Sequence, residues 1–209
     1  MQSPKPPYTA LMGGAKVSDK IQVIDNLLPK INNLLIGGGM ANTFLKAMGF
    51  EIGESFHEPD SLAYAANLLE TSSNSGVNIL LPRDVVVSDK FGSTQNQATV
   101  NINEVSKTSH IMDIGPETAI EYSTIIKDSK TLLWNGPLGV YEFKEFQVGT
   151  QAISEAISNN VNLVSVVGGG STAEAVEELG IASHITHVST GGGASLDYLS
   201  GKLLTGIEA

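Results

Sequence analysis

Short apolar runs alternate with longer stretches of helical spacing along most of this chain, the pattern of strands and helices taking turns. Tyr8 to Met12 reads as a first strand. It leads through Gly13-Gly14 to a helix from about Val17 to Leu28, where Val17, Ile21, Ile24, Leu27 and Leu28 keep the spacing of one face and Pro29 lies near the end. A second strand, Leu34 to Ile36, runs into Gly37-Gly38-Gly39 and a helix from about Ala41 to Met48, with Gly49 as its C-cap. A helix from Ser61 to Leu69 and a buried strand from Val77 to Leu81 follow, and Asp84 to Ser88 continues extended after Pro82. The polar stretch from Lys90 to Asn103 predicts an excursion with a short strand near Ala98 to Ile102.

The regular pattern then resumes, with Pro116 opening a helix to Lys127. Strand Thr131 to Trp134, helix Phe146 to Ser158, strand Leu163 to Val167, helix Thr172 to Leu179, strand His187 to Ser189 and helix Ala194 to Leu199 complete it. The alternation predicts an α/β fold: a three-layer sandwich with a mostly parallel sheet of about six strands, covered on both faces by helices. No linker-like segment divides the chain, so residues 1–209 are expected to form a single domain.

Composition narrows the function classes. The 41% hydrophobic content suffices for a sizeable core. No apolar stretch is long enough to span a membrane, and the first seven residues lack the apolar core of a secretory signal, so a soluble, cytoplasmic protein with no membrane partner is expected. The absence of cysteine excludes disulfides, thiolate catalysis and thiolate metal sites. A net charge of −10 argues against nucleic acid, whose binding draws on many basic contacts. Arg83 is the only arginine, which predicts that the site of any second, acidic substrate is not on this chain.

The candidate chemistry lies in the glycine turns. Gly37-Gly38-Gly39, Gly168-Gly169-Gly170 and Gly191-Gly192-Gly193 each stand between an apolar run and a helix, and Gly13-Gly14 does the same at the first strand. Such turns can present bare N–H groups at a helix N-terminus, a common way to hold phosphate. The plainer alternative is that glycine makes tight strand-to-helix turns. Behind Gly13-Gly14, Lys16 and Lys20 are spaced to share one face at the start of the predicted helix. Two like charges there repel each other and the helix dipole, a cost that a bound polyphosphate would reverse; otherwise they are solvated surface lysines. Neither a Gly-Lys-Ser/Thr loop nor a Gly-x-Gly-x-x-Gly fingerprint is present.

Four strings together carry a specific resemblance: Gly-Gly-Ala-Lys-Val-Ser-Asp-Lys-Ile at 13–21, Leu-Ile-Gly-Gly-Gly-Met-Ala at 35–41, Trp-Asn-Gly-Pro-Leu-Gly-Val at 134–140 and Ser-Thr-Gly-Gly-Gly-Ala-Ser-Leu at 189–196. Over nearly its whole length the chain resembles the C-terminal, nucleotide-binding half of phosphoglycerate kinase. The resemblance implies a Rossmann-like domain that binds ADP or ATP with Mg²⁺. A separate N-terminal half, basic and outside this chain, would hold 3-phosphoglycerate or 1,3-bisphosphoglycerate. It further implies reversible phosphoryl transfer between 1,3-bisphosphoglycerate and ADP across a closing hinge, and a monomer. The chain then reads as a fragment that folds independently and binds nucleotide without turnover.

Carried over by position, Lys16 and Lys20 contact the nucleotide phosphates, with Lys20 also following the transferred group, and Asn135 lies near them, in a turn with Gly136 and Pro137. Val140 and Glu142 match the ribose contacts; Gly14, Gly37 and Gly38 match an adenine slot whose apolar wall includes Phe56 and Met112. Gly169, Gly170, Thr172, Gly192 and Gly193 match the turns nearest the migrating group, with Gly170 and Gly193 offering N–H groups to its oxygens. One position departs: where the family has an aspartate that helps hold Mg²⁺, this chain has Ser171, a much poorer ligand. Either nucleotide phosphates and water hold the metal, or Glu174 or another carboxylate substitutes, so the protein's metal ligand is left open.

Other residues read as structural. His57, His110, His184 and His187 lack metal-ligand spacing, Trp134 is expected in the core, and Glu174, Glu177 and Glu178 form a solvated helix face. The rival functions are a non-catalytic nucleotide-binding module, which Ser171 favours and the two lysines oppose, and a dinucleotide-dependent dehydrogenase, which the missing fingerprint opposes.

Overall fold

The structure, a computed structural model, describes residues 4–202, with 73 and 74 described at the backbone only. Six strands form a wholly parallel sheet: β1 (Tyr8–Met12), β2 (Asn33–Ile36), β3 (Asn78–Leu80), β7 (Thr131–Asn135), β8 (Val164–Gly168) and β9 (His187–Ser189). Their order is β3-β2-β1-β7-β8-β9. The winding reverses between β1 and β7, which pair from Tyr8↔Thr131 to Met12↔Asn135. This is the doubly wound arrangement, whose ligands bind beyond the strands' carboxyl ends at that reversal.

The central strands β1, β2 and β7 are buried on both faces because helices cover both, whereas β3, expected to be buried, is a partly exposed edge strand, as is β9. Ala10, Met12, Leu34, Ile36 and Leu133 enter one core with residues of α1 (Ile21–Leu27), α2 (Gly38–Ala47), α3 (Leu62–Ser75) and α7 (Gly193–Leu199). Their alternating neighbours Leu11, Leu35, Leu132 and Trp134 enter the other, with α4 (Pro116–Asp128), α5 (Val148–Asn159) and α6 (Gly170–Glu178). Trp134 is wholly buried, as expected, and its Nε1–H donates to Gly136 O at 2.8 Å. Truncating such a residue to alanine costs roughly 3–5 kcal/mol. Tyr122 of α4 ties β2 to β3 by donating to Ile36 O and Leu80 O. No helix among the described residues is long and apolar enough to cross a membrane.

A second, antiparallel sheet of order β5-β4-β6 joins β4 (Asp84–Ser88), β5 (Ala98–Asn101) and β6 (His110–Ile114). The excursion and its short strand were legible in the sequence, whereas β6 was not. Its residues His-Ile-Met-Asp-Ile show no clean alternation, and Asp113 is buried with the apolar ones. Asp84 of β4 caps α4 from a distance, accepting from Glu117 N–H and Thr118 N–H at 2.9 and 2.8 Å.

Most other element ends fall within a few residues of the sequence expectation; α2 has Met48 as its C-cap, one residue before the expected Gly49, whose φ of +90° turns the chain so that Phe50 N–H bonds to Leu45 O. α3 runs on from Leu69 to Ser75. The first helix is the correction that matters: it begins at Ile21, not Val17, and Lys20 is its N-cap. Val17 is buried as its spacing suggested, but in a turn closed by Lys20 N–H to Val17 O. The N–H groups of Val17 and Ser18 go to the Glu58 carboxylate. Lys16 and Lys20 are therefore not stacked one helical turn apart.

Candidate functional site

The glycine turns meet at the carboxyl ends of β1, β2, β7 and β8, where they bond to one another. Gly13 N–H donates to Asn135 O, Gly14 N–H to Pro137 O, Gly38 N–H to Leu138 O and Met40 N–H to Gly14 O, all at 2.8–2.9 Å. Gly136 N–H donates to Thr172 Oγ1 at 2.7 Å. A Cβ on Gly13 would lie 2.2 Å from Pro137 O. At this junction the glycines serve close backbone approach, the plainer of the two readings, because the N–H groups of Gly13, Gly14 and Gly38 already have acceptors. The α6 end differs: a Cβ on Gly170 would meet nothing within 4 Å, and the first amides of a helix have no intrahelical acceptor.

Two adjoining chambers open above these turns and share Gly14, Ala15 and Ser171. The larger, of about 570 Å³, is mostly apolar. Phe56, Val85, Phe91, Ile111, Met112 and Leu138 line it, and Glu142 stands at its edge. Phe56 and Phe91 remain 51% and 65% exposed, so two rings border a cleft that a flat apolar ligand would cover. Asn42, only 2% exposed, donates through Nδ2 to Phe56 O; its Oδ1 has no partner among the described residues. β6 delivers Met112, whose carbonyl accepts from Val140 N–H at 2.8 Å and fixes the loop carrying Glu142.

The smaller chamber, of about 350 Å³, is the more polar of the two. Lys16, Lys20, Asn135, Gly136, Thr172 and Gly192 line it together with the Gly169-Gly170-Ser171 end of α6. Lys20 is 8% exposed and donates through Nζ to Asn135 Oδ1, while Asn135 Nδ2 donates to Gly168 O at 2.7 Å. Burial lowers the Lys20 pKa, partly opposed by the Asp19 carboxylate. Two lysines and one helix N-terminus stand here against a single carboxylate among the described lining residues, that of Asp19, an excess of positive charge that favours anions over cations.

Of the sequence candidates, Gly14, Gly38, Phe56, Met112, Pro137, Val140, Glu142 and Ser171 line the apolar chamber. Gly14 and Ser171 also line the polar one, with Lys16, Lys20, Asn135, Gly136, Gly169, Gly170, Thr172 and Gly192. Two candidates line neither chamber. Gly37 is buried, with its N–H bonded to Met12 O and no room for a Cβ beside Leu138; Gly193 is an exposed residue opening α7.

Sequence reasoning missed Asn42, Phe91, Asp113 and Asp19 as lining residues. The signal for Phe91, an aromatic residue in a polar excursion, was available; the others had none. His110, read as structural, lines the apolar chamber and meets Phe91 edge-on, with Nε2 3.5 Å from a Glu54 carboxylate oxygen. Glu174, Glu177 and Glu178 are exposed as expected. No group of three or more metal-ligating residues occurs among the described residues, and Glu174 accepts from the Tyr141 hydroxyl at 3.2 Å instead.

The family model "Phosphoglycerate kinase" matches residues 1–202. The chain is 48% identical over 209 residues to a phosphoglycerate kinase of Roseiflexus sp. (strain RS-1), covering all of this chain and 53% of that protein. It is 48% identical over 207 residues to one of Clostridioides difficile (strain 630), covering 99% of this chain and 52% of that protein. The solved structure of phosphoglycerate kinase from Coxiella burnetii superposes with a TM-score of 0.96 at 39% identity, over 99% of this chain and 53% of that one. That from Pyrococcus horikoshii OT3 gives 0.77 at 32% identity, over 99% of this chain and 52% of that one. The chain thus spans about half the length of the relatives it matches. With family model, sequence identity and fold in agreement, this chain belongs to the phosphoglycerate kinase family.

Proposed function

We propose that this chain is the nucleotide-binding domain of a phosphoglycerate kinase and that ADP or ATP spans its two chambers. The observation that carries this reading is the junction of an apolar chamber with a lysine-bearing one at the reversal of the sheet. A base would lie between Phe56 and the Met112 wall, with Glu142 accepting from the ribose hydroxyls. The phosphates would meet Lys16, Lys20 and the amides of Gly169 and Gly170.

In the reaction this supports, a phosphoryl group passes reversibly and in line between the acyl-phosphate of 1,3-bisphosphoglycerate and ADP. The acid substrate is held by a part of the protein outside this chain, in keeping with the scarcity of arginine here. Catalysis is mainly positioning and electrostatics: Lys20 follows the charge on the moving group, and the α6 amides, with that of Gly192, which lines the same chamber, stabilise its oxygens. Mg²⁺ would neutralise the phosphates; with Ser171 neutral and Asp19 the one carboxylate lining the polar chamber among the described residues, phosphates and water supply most of its ligands. Alone, the chain binds nucleotide as a monomer and turns nothing over.

The test is calorimetric titration with ADP, with and without Mg²⁺, on the chain and on a Lys16→Ala/Lys20→Ala variant, with NADH as control. Saturable ADP binding that weakens in the variant is expected. A folded chain that binds no ADP, or prefers NADH, would overturn the reading.

A further inference from the structure

The turn that brings Lys16 and Lys20 to the polar chamber is not held by its own helix. Three bonds from two consecutive residues end on one side chain 40 and 41 positions away: Val17 N–H and Ser18 N–H donate to Glu58 Oε2, and Ser18 Oγ–H donates to Glu58 Oε1 at 2.6 Å. Glu58 is anchored in turn, its N–H donating to Oγ1 of the wholly buried Thr43 at 3.0 Å. Two residues earlier, Asn42 Nδ2 holds Phe56 O, so the pair Asn42–Thr43 on α2 grips the segment that carries both Phe56 and Glu58.

We infer that Glu58 is a positioning residue for phosphate binding, holding the lysine turn open toward the polar chamber and balancing its charge while no ligand is present. The inference rests on the nucleotide reading above. Its physical basis is threefold. The apolar spacing from Val17 onward suits a helix, and the carboxylate takes the N–H groups of Val17 and Ser18 while the helix starts at Ile21. A fixed negative charge beside Lys16 offsets the repulsion between two cations that have no phosphate between them. And because those two amides are already satisfied, an incoming anion is left to the lysine side chains and to the α6 end. Burial works against the charged carboxylate, but the Ser18 hydroxyl and N–H, the Val17 N–H and Lys16 outweigh it and lower the Glu58 pKa.

The role predicts a split between two ligands. Adenosine needs only the apolar chamber; ADP needs the lysines too. Titration of the full 209-residue chain and its Glu58→Ala variant should show ADP affinity falling about tenfold or more, the scale of losing a charge-assisted bond, with adenosine changed by less than about twofold. The isosteric Glu58→Gln variant, which keeps one acceptor and the shape of the segment, should fall between the two, and it carries the test if Glu58→Ala fails to fold. Hydrogen exchange at Val17 and Ser18 should quicken in the variants. Unchanged ADP affinity in both variants would overturn the inference, as would parallel loss of ADP and adenosine, the signature of a merely structural residue. Wild-type chain that binds neither ligand would overturn the nucleotide reading first, and this inference with it.

Discussion

Lys20 and Asn135 lie 115 residues apart in sequence and meet on the polar chamber, where Lys20 Nζ donates to Asn135 Oδ1. Asn135 closes the central strand β7, and its Nδ2 grips Gly168 O of the next strand, so the lysine is aimed by the sheet itself. A buried ammonium with a neutral partner is costly, and burial lowers its pKa accordingly. A phosphate in the chamber would repay that cost.

From this pair we expect different outcomes at its two ends. Lys20→Ala should cost about 1.5–3 kcal/mol of nucleotide affinity, roughly tenfold to a hundredfold, with little loss of folding stability. Asn135→Ala should weaken binding less but destabilise the fold by about 1–3 kcal/mol, because Gly168 O is left without its donor. Calorimetry with ADP beside thermal unfolding separates the two; equal stability losses in both variants would contradict the assignment.

Asp113 gives the chain a pH dependence of its own. Burial pushes its carboxyl from the ordinary 3.8 up to about 7, opposed by the N–H groups of Gly149 and Ile114. The folded value lies above the unfolded one, so its contribution to stability is fully present below about pH 4 and is lost as pH rises to about 7. Asp113→Asn removes that slope. The urea midpoint of the variant should rise relative to wild type across this window and level off above it; a difference constant with pH would refute this.

Gly38 and Gly170 should answer the same substitution oppositely. Gly38 has φ +64°, and a Cβ there would lie 2.8 Å from both Gly14 N and Pro137 O, so Gly38→Ala should destabilise by more than about 1 kcal/mol. Gly170 starts α6 in open space, where alanine suits a helix, so Gly170→Ala should keep or slightly raise the unfolding temperature. It should still weaken ADP binding, since the new methyl stands where phosphate would approach the α6 amides. A stable Gly38→Ala protein, or unimpaired ADP binding by Gly170→Ala, would contradict the role assigned to that turn.

Much of this was legible in the chain as written. Runs such as Leu34 to Ile36 and helical spacing such as that of the 116–127 segment are local signals, and the parallel sheet with its two covered faces followed from them. The glycine turns marked the rim, and eight of the sequence candidates, Phe56 and Glu142 among them, line the apolar chamber. What periodicity could not carry depends on partners distant in sequence. Helix α1 starts at Ile21 with Glu58 holding the two residues that the pattern would have wound into it. Strand β6, with the buried Asp113, exists through its pairing with β4. The glycines of the central junction look like phosphate cradles until their N–H groups are found bonded to the next turn, whereas the α6 end stays open. Spacing along a chain encodes which face a residue shows, but whether its polar groups are already satisfied is settled by segments that arrive from elsewhere in the fold.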